Sequence, residues 1–203
     1  MQELEVLIYN MLQISGENME TLKAIQTRNS VPHLADPAPS NEDMEQVYKC
    51  ALRAPDHAWL RPWKFIEIRG NSRKKLADSF IKASVASGEA MTEELKEKLK
   101  KAPFRAPMVI ILAADIKEHP KVPKIEQIIS LGASAQNILL SLHDIGYSAI
   151  WRTGKMAFNQ HIVEALDLPT NYEVIGYLYI GTPSGRIKSL PELDLSDHLT
   201  RWD

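Results

Sequence analysis

Apolar residues occur along this chain at two spacings, one typical of strands and one typical of helices. The continuous apolar run at residues 108–114 has the length of a strand and predicts a central strand that is covered on both faces. Shorter apolar stretches at residues 65–68, 148–151 and 174–180 predict three further strands. Together these segments predict one sheet.

Apolar residues at helical spacing predict the segments between the strands. The predicted helices are one opened by a capping box at residues 40–43 and ended by Pro55, one from Asn71 to Gly88, a charged surface helix over residues 92–101, and shorter helices over residues 19–25 and 159–166. Because helices and strands do not alternate regularly as βαβ units, the pattern favours an α+β sheet covered by helices.

The longest helix is predicted between Pro123 and Gly146, which leaves about 22 residues, or roughly 33 Å. Its apolar residues are spread around more than one face, so we expect it to be buried in the core or against a second subunit. Polar residues interrupt this stretch and favour a core helix over a membrane span: Glu126, Gln127, Gln136 and Asn137.

Domain organisation follows from where the motifs lie. An amphipathic segment over residues 3–12 can be removed without breaking any motif, so residues 1–18 are interpreted as an N-terminal helical extension and residues 19–203 as a single domain. A length of 203 residues with 44% hydrophobic and 25% charged residues is ordinary for one domain with its own core.

Composition excludes several classes of function. A net charge of −2 offers no basic surface for nucleic acid, and we expect neither nucleic-acid nor membrane partners. The single cysteine, Cys50, rules out an internal disulfide and is expected to be a small core residue. The start of the chain lacks a signal-peptide pattern, so a cytoplasmic location is expected. The six histidines show no paired spacing for zinc, and no metal site is expected.

Two short strings carry the candidate chemistry. Residues 53–63 and residues 149–154 each place an arginine near the end of a predicted strand or helix. A guanidinium group binds phosphate oxygens and the carbonyl edge of a ring with its fork of donors, so the strings indicate a phosphorylated cofactor. Structural alternatives remain: Arg53 at its own helix end, His57 paired with Asp56, Trp63 and Trp151 in the core or an interface.

Six motifs, in this order, resemble one known family. They lie at residues 27–30, 53–57, 125–127, 132–137, 151–154 and 175–181. The chain resembles the FMN-dependent nitroreductases, and over about residues 19–183 it is most similar to their short YdjA-type subgroup. The resemblance implies a nitroreductase-like α/β/α sandwich with a central mixed, largely antiparallel sheet. It also implies a homodimer with FMN at the subunit interface.

The resemblance also implies which residues bind the cofactors. Arg28 and Ser30 match the element that holds the FMN phosphate and ribityl chain, and Asn29 stands where the family usually has a second arginine. The other implied contacts are a clamp on the partner subunit's flavin (Arg53, His57), a second cofactor segment (Trp151, Arg152, Thr153) and a nicotinamide-nucleotide segment running from Ser141 to Gly146. Arg186 or Lys188 is a candidate to complete the phosphate site, while Gln136 and Asn137 are expected to cap a polar contact at the dimer interface.

The implied activity is that of an FMN-dependent oxidoreductase. NADH or NADPH would reduce FMN, and a nitroaromatic, quinone or related electron-poor small molecule would then be reduced by a ping-pong mechanism. No catalytic side chain is expected, because the hydride chemistry belongs to the flavin. Three alternatives stay open: a metabolite-specific flavin reductase or dehalogenase, a flavin-binding protein without NAD(P)H turnover, and an interaction module without a cofactor.

Overall fold

The computed structural model describes residues 20–202. The predicted helical extension at residues 1–18 lies outside the described residues and stays a prediction. The helices are α1 (Thr21–Thr27), α2 (Asn41–Ala51), α3 (Ser72–Ala86), α4 (Glu93–Lys101), α5 (Lys124–Asp144) and α6 (Gln160–Ala165). The strands are β1 (Leu34–Ala35), β2 (Trp63–Arg69), β3 (Met108–Asp115), β4 (Ser148–Arg152) and β5 (Tyr172–Pro183).

The five strands form one sheet in which β5 is the central element. The strand order of the sheet is β1-β5-β3-β2, and β4 also pairs with β5. Every ladder between these strands is antiparallel, and the parallel pairing is an isolated bridge between Ser30 and Ala149. The predicted mixed, largely antiparallel sheet is therefore confirmed.

Helices cover both faces of β3, as its continuous apolar run predicts. Met108, Ile110 and Leu112 pack in a core cluster with residues of α2 and α5. Val109 and Ile111, which point to the other face, pack with residues of α3, α4 and α6. Because alternate residues of a strand face opposite sides, this division gives an α/β/α sandwich with two core layers.

The ends of α2 and α5 follow the local signals in the sequence. Ser40 Oγ accepts a hydrogen bond from the Asp43 backbone N–H at 3.0 Å, and Asp43 Oδ2 accepts one from the Ser40 N–H at 2.9 Å, so the capping box is confirmed. α5 begins after Pro123 and ends just before Gly146, which has a φ of +86°.

The core position expected for Cys50 is wrong. The buried residues of α2 are Met44, Val47 and Ala51, whereas Cys50 is exposed. Successive helical residues are rotated by about 100°, which turns Cys50 away from the side on which Ala51 is buried.

Gly176 on β5 allows the side chain of Trp151 on β4 to lie close to the β5 backbone. A Cβ atom at Gly176 would lie 2.1 Å from Trp151 Nε1, and the φ of this glycine is +151°. Only a residue without a side chain therefore lets the Trp151 indole pack here. Among residues 20–202, no helix combines the length and the hydrophobicity needed to cross a membrane.

Candidate cofactor site

The end of α1 and the middle of β4 lie side by side. The Arg28 N–H donates to the Ala24 carbonyl at 3.0 Å and closes the helix, after which the chain becomes extended. Ser30 then bridges to Ala149. This contact brings residues 28–30 next to the strand that ends at Arg152, so two motifs that are far apart in sequence become neighbours.

Asn29 joins the same place to the C-terminal segment. Its Nδ2 donates to the Lys188 carbonyl at 2.6 Å, and its Oδ1 accepts from the Ser30 N–H at 2.8 Å. An arginine side chain has donors but no acceptor, so it could not make the second contact. The asparagine therefore lacks the positive charge of an arginine, but it holds the backbone of Lys188 next to residue 29.

His143 connects Arg28 to the predicted nucleotide segment. Thr27 Oγ1 donates its single proton to the Lys23 carbonyl at 2.6 Å, so at the 2.9 Å contact with His143 Nε2 the imidazole N–H must be the donor. Burial lowers the pKa of His143 and the Arg28 charge lowers it further, against the opposing effect of Asp144. The net effect favours the neutral form of the imidazole.

The other predicted half of the site begins where α2 ends. Polar side chains on one face of α5 donate hydrogen bonds to carbonyl groups at the end of α2 and in the following loop. The bonds are Ser134 Oγ to Ala51 O (2.7 Å), Asn137 Nδ2 to Cys50 O (3.1 Å) and Ser130 Oγ to Pro55 O (2.6 Å). Asn137 thus makes a polar contact within the chain and Gln136 is exposed, while the interface role expected for both stays a prediction.

Arg53 and His57 lie on the exposed loop held by these bonds. His57 Nδ1 is 2.7 Å from Glu126 Oε2 at the start of α5, whereas Asp56 Oδ2 accepts from the Arg61 N–H at 2.8 Å. The alternative pairing of His57 with Asp56 is therefore wrong. Both members of the His57–Glu126 pair are about half exposed, so the pair orients the loop and adds little stability.

The two halves of the predicted site lie at opposite ends of α5. His57 contacts Glu126 near the start of the helix, and Thr27 and Arg28 lie at His143 near its end. The 17 residues from 126 to 143 span about 26 Å at the usual helical rise. One chain therefore does not bring His57 to Arg28.

Residues 151–153 present different groups on the two faces of the sheet. Trp151 packs against the cluster that includes α5, and its Nε1 is 3.4 Å from the Ile175 carbonyl, which matches the core alternative. The Arg152 guanidinium lies 5.7 Å from the centre of the Tyr179 ring, which belongs to the opposite core layer. Thr153 is exposed at the strand end. Trp151 and Arg152 therefore cannot both place their side chains on one face of a planar ligand.

A buried donor at Arg152 has no acceptor. Its Nε is buried and forms no hydrogen bond within residues 20–202. A buried unpaired donor is costly, and a ligand carbonyl or phosphate oxygen would satisfy it. This makes Arg152 the residue of its segment whose side chain is best suited to a cofactor.

The sequence did not predict the contacts of several residues that shape the site. Thr27 and His143 support Arg28, while Ser130 and Ser134 fix the loop after α2. The signal available for the serines was their spacing of four within an otherwise apolar helix, which puts them on one face.

Comparisons with known proteins identify the family of the chain. The model of the Nitroreductase family matches residues 25–182. The chain is 31% identical over 179 residues to “Putative NAD(P)H nitroreductase YdjA” of Escherichia coli K12, covering 88% of this chain and 96% of the relative.

Solved structures show the same fold. A nitroreductase-like family protein from Bacillus cereus superposes with a TM-score of 0.76 at 22% identity, covering 91% of this chain and 96% of the other. A nitroreductase with bound FMN from Bacteroides fragilis superposes with a TM-score of 0.70 at 17% identity, covering 91% of this chain and 100% of the other. The likeness extends over nearly all the described residues.

Proposed function

This chain belongs to the nitroreductase family, and from that premise we propose that it is an FMN-dependent oxidoreductase that uses NADH or NADPH to reduce small electron-poor acceptors. Nitroaromatics and quinones are the acceptor classes proposed. The observation that carries the proposal is the junction at which residues 28–30, the first half of β4 and the backbone of Lys188 meet.

The residues at this junction fit the phosphate end of FMN. Arg28 and Lys188 supply positive charge, and Ser30 supplies a hydroxyl donor, which are the groups that bind phosphate oxygens. Arg152 lies at the end of β4, and its unpaired Nε is a further donor. This pattern supports Lys188 as the C-terminal residue of the phosphate site, with Arg186 two positions earlier in the same segment.

The remaining roles are divided between binding and orientation. Bound FMN would supply the redox chemistry, accepting a hydride from NAD(P)H and passing the electron pair to a second substrate after the oxidised nucleotide leaves. The segment from Ser141 to Gly146 is proposed to contact the nicotinamide nucleotide, which is consistent with its position beside Arg28. No side chain of the chain is assigned a proton-transfer role.

A homodimer would complete the site. His57 lies about 26 Å along α5 from Arg28, so the two residues reach the same flavin only if two copies of α5 pack in opposite directions. Ile125 and Ile129 on α5 are 58% and 62% exposed, which supplies an apolar surface for that contact. The cytoplasmic location expected from the sequence remains part of the proposal.

An anaerobic absorbance titration tests the proposal. The purified protein, supplied with FMN, should show flavin bands that bleach with NADH or NADPH and return when a quinone or nitroaromatic is added. Flavin that binds and stays oxidised with both nucleotides would instead indicate a flavin-binding protein without turnover. A protein that takes up no flavin would overturn the proposal.

A further inference from the structure

The loop between the clamp residues and β2 presents an exposed tryptophan and an exposed arginine that no binding role yet accounts for. We propose that Trp59 and Arg61 form a platform that selects a planar, electron-poor aromatic acceptor carrying a carboxylate. The acceptor ring would stack on the indole, and its carboxylate would bind the guanidinium. This inference rests on the proposed function, because it names the acceptor class of that site.

The backbone of this loop is held in a strained conformation. Ala58, Trp59 and Arg61 have φ values of +55°, +56° and +49°, in the left-handed region that residues other than glycine rarely adopt. Such strain persists only where the surroundings impose it, and it is concentrated at functional sites. Three strained residues within four positions therefore mark the loop as a candidate recognition element.

Contacts at both ends of the loop impose this conformation. The Arg61 N–H donates to Asp56 Oδ2 at 2.8 Å, and Lys117 Nζ donates to the Leu60 carbonyl at 2.5 Å. His57 is paired with Glu126 on α5. The loop is thus fixed to two other elements before any ligand binds, which lowers the entropy lost on binding.

Burial does not explain why the loop carries these side chains. Trp59 is 79% exposed, and the Arg61 guanidinium lies 5.6 Å from the centre of its ring. Within residues 20–202 the Arg61 guanidinium makes no hydrogen bond or ion pair, so its donors are available to a ligand. The fold thus holds a large aromatic surface and a free guanidinium together at the surface.

The chemistry of the two side chains defines the ligand. An indole is electron-rich and stacks well with a ring made electron-poor by a nitro or quinone group, which is also the property that makes a ring easy to reduce. A guanidinium fork binds a planar carboxylate through two parallel hydrogen bonds. The pair thus matches an aromatic acid with an electron-withdrawing substituent.

The position of the pair suits an acceptor site shared between subunits. The loop is tied at His57 to the start of α5, where Ile125 and Ile129 are exposed. If that surface receives a second copy of the chain, the platform lies at the rim of the cleft that holds the partner's flavin. An acceptor bound there would be held beside the reducing group.

Calorimetric titration of the oxidised, FMN-reconstituted full chain with 4-nitrobenzoate and with its neutral methyl ester tests the platform. The unmodified protein should bind the acid about tenfold more tightly than the ester, because a charge-assisted pair favours the acid. Arg61→Gln should remove this preference and leave ester binding unchanged. Trp59→Leu should weaken both ligands, and Trp59→Phe should retain both.

Matched controls come from the far end of the chain. Trp202 is 96% exposed and Arg201 is also exposed, so Trp202→Leu and Arg201→Gln should leave both affinities unchanged. A preference for the acid that survives Arg61→Gln, or unchanged binding in Trp59→Leu, would overturn the platform. So would an effect of Arg61→Gln confined to the KM for NADPH, because Arg61 would then bind the donor's phosphate.

The absorbance spectrum of the same samples separates this inference from the proposed function. Flavin bands that do not bleach with NAD(P)H would overturn the oxidoreductase, while the ligand titrations would still test the platform. Normal bleaching combined with no Trp59-dependent or Arg61-dependent binding would overturn the platform alone.

Discussion

At the scale of single residues, an asparagine in place of an arginine changes how the candidate phosphate site is built. Asn29 holds the Lys188 carbonyl and the Ser30 N–H with its two amide ends. The charge lost at position 29 is thus accompanied by the approach of a segment that carries Lys188. Arg28, which directly precedes Asn29 in the sequence, remains a cation of this site.

Replacing Arg28 by alanine should remove most of the stabilisation by FMN. At a free FMN concentration of about 100 times the dissociation constant, the unmodified protein should gain roughly 2.7 kcal/mol of unfolding free energy. The Arg28→Ala variant should gain much less, because the phosphate loses a charge-assisted partner. Unfolding measured with and without FMN gives this gain in free energy, and Lys74→Ala, at an exposed position, is the control. An equal gain in Arg28→Ala and Lys74→Ala would contradict the assignment.

His143 should make stability depend on pH in a defined window. Its pKa in the folded protein lies below the ordinary value of 6.5, so as the pH falls through 6.5 the unfolded chain takes up a proton that the folded chain does not. The contribution of His143 to the free energy of unfolding is therefore fully present above about pH 6.5, and it is lost as the pH falls towards the folded pKa. Glu89 and Glu97 have lowered pKa values and act below about pH 4.5, outside this window.

The His143→Gln variant should flatten this decline. Unfolding free energies measured from neutral pH to about pH 5 should change less in the variant than in the unmodified protein. His198→Gln, in the exposed C-terminal segment, is the matched control. An unchanged slope in His143→Gln would show that another group governs this window.

At the scale of elements, α5 organises the loop that carries the predicted flavin clamp. Ser130 Oγ donates to the Pro55 carbonyl at 2.6 Å and accepts from Trp63 Nε1 at 2.9 Å. One hydroxyl thus joins three elements: α5, the loop after α2, and the start of β2. Ser134 repeats the arrangement one turn later, at the Ala51 carbonyl.

Removing the Ser130 hydroxyl should destabilise the fold and loosen the loop that carries Arg53 and His57. Ser130→Ala should lower the free energy of unfolding by about 1–2 kcal/mol, because a partly buried carbonyl and an indole N–H lose their partner. Trp63→Phe removes one of the two bonds, so a double-mutant cycle should give a coupling of about 1 kcal/mol. Strictly additive effects in chemical denaturation would contradict the direct Trp63–Ser130 bond.

At the scale of the whole molecule, the distribution of site residues along α5 favours a two-chain site. Ile129→Glu should halve the mass measured by light scattering, because it places a charge in the proposed contact. FMN uptake should fall with it, since each flavin would lose the partner's clamp. Val85→Glu, at a similarly exposed position on α3, is the control, and an unchanged mass for Ile129→Glu would show that α5 does not form the interface.

Sequence patterns determined the features that depend on neighbouring residues. The capping box at Ser40, the continuous run of β3 and the bounds of α5 were all predicted, because caps, periodicity and helix breakers act within one or two turns. The order of motifs also indicated the family, which the comparisons confirm. The cofactor residues themselves stay predictions.

Only the tertiary structure decided which distant groups meet. His57 bonds Glu126, 69 positions away, and Asn29 bonds the backbone of Lys188, 159 positions away. The same packing brings Asn137 to the Cys50 carbonyl, 87 positions away. Such pairings depend on how helices and strands pack against one another, because the local chain offers each side chain several partners and the burial of apolar faces selects among them.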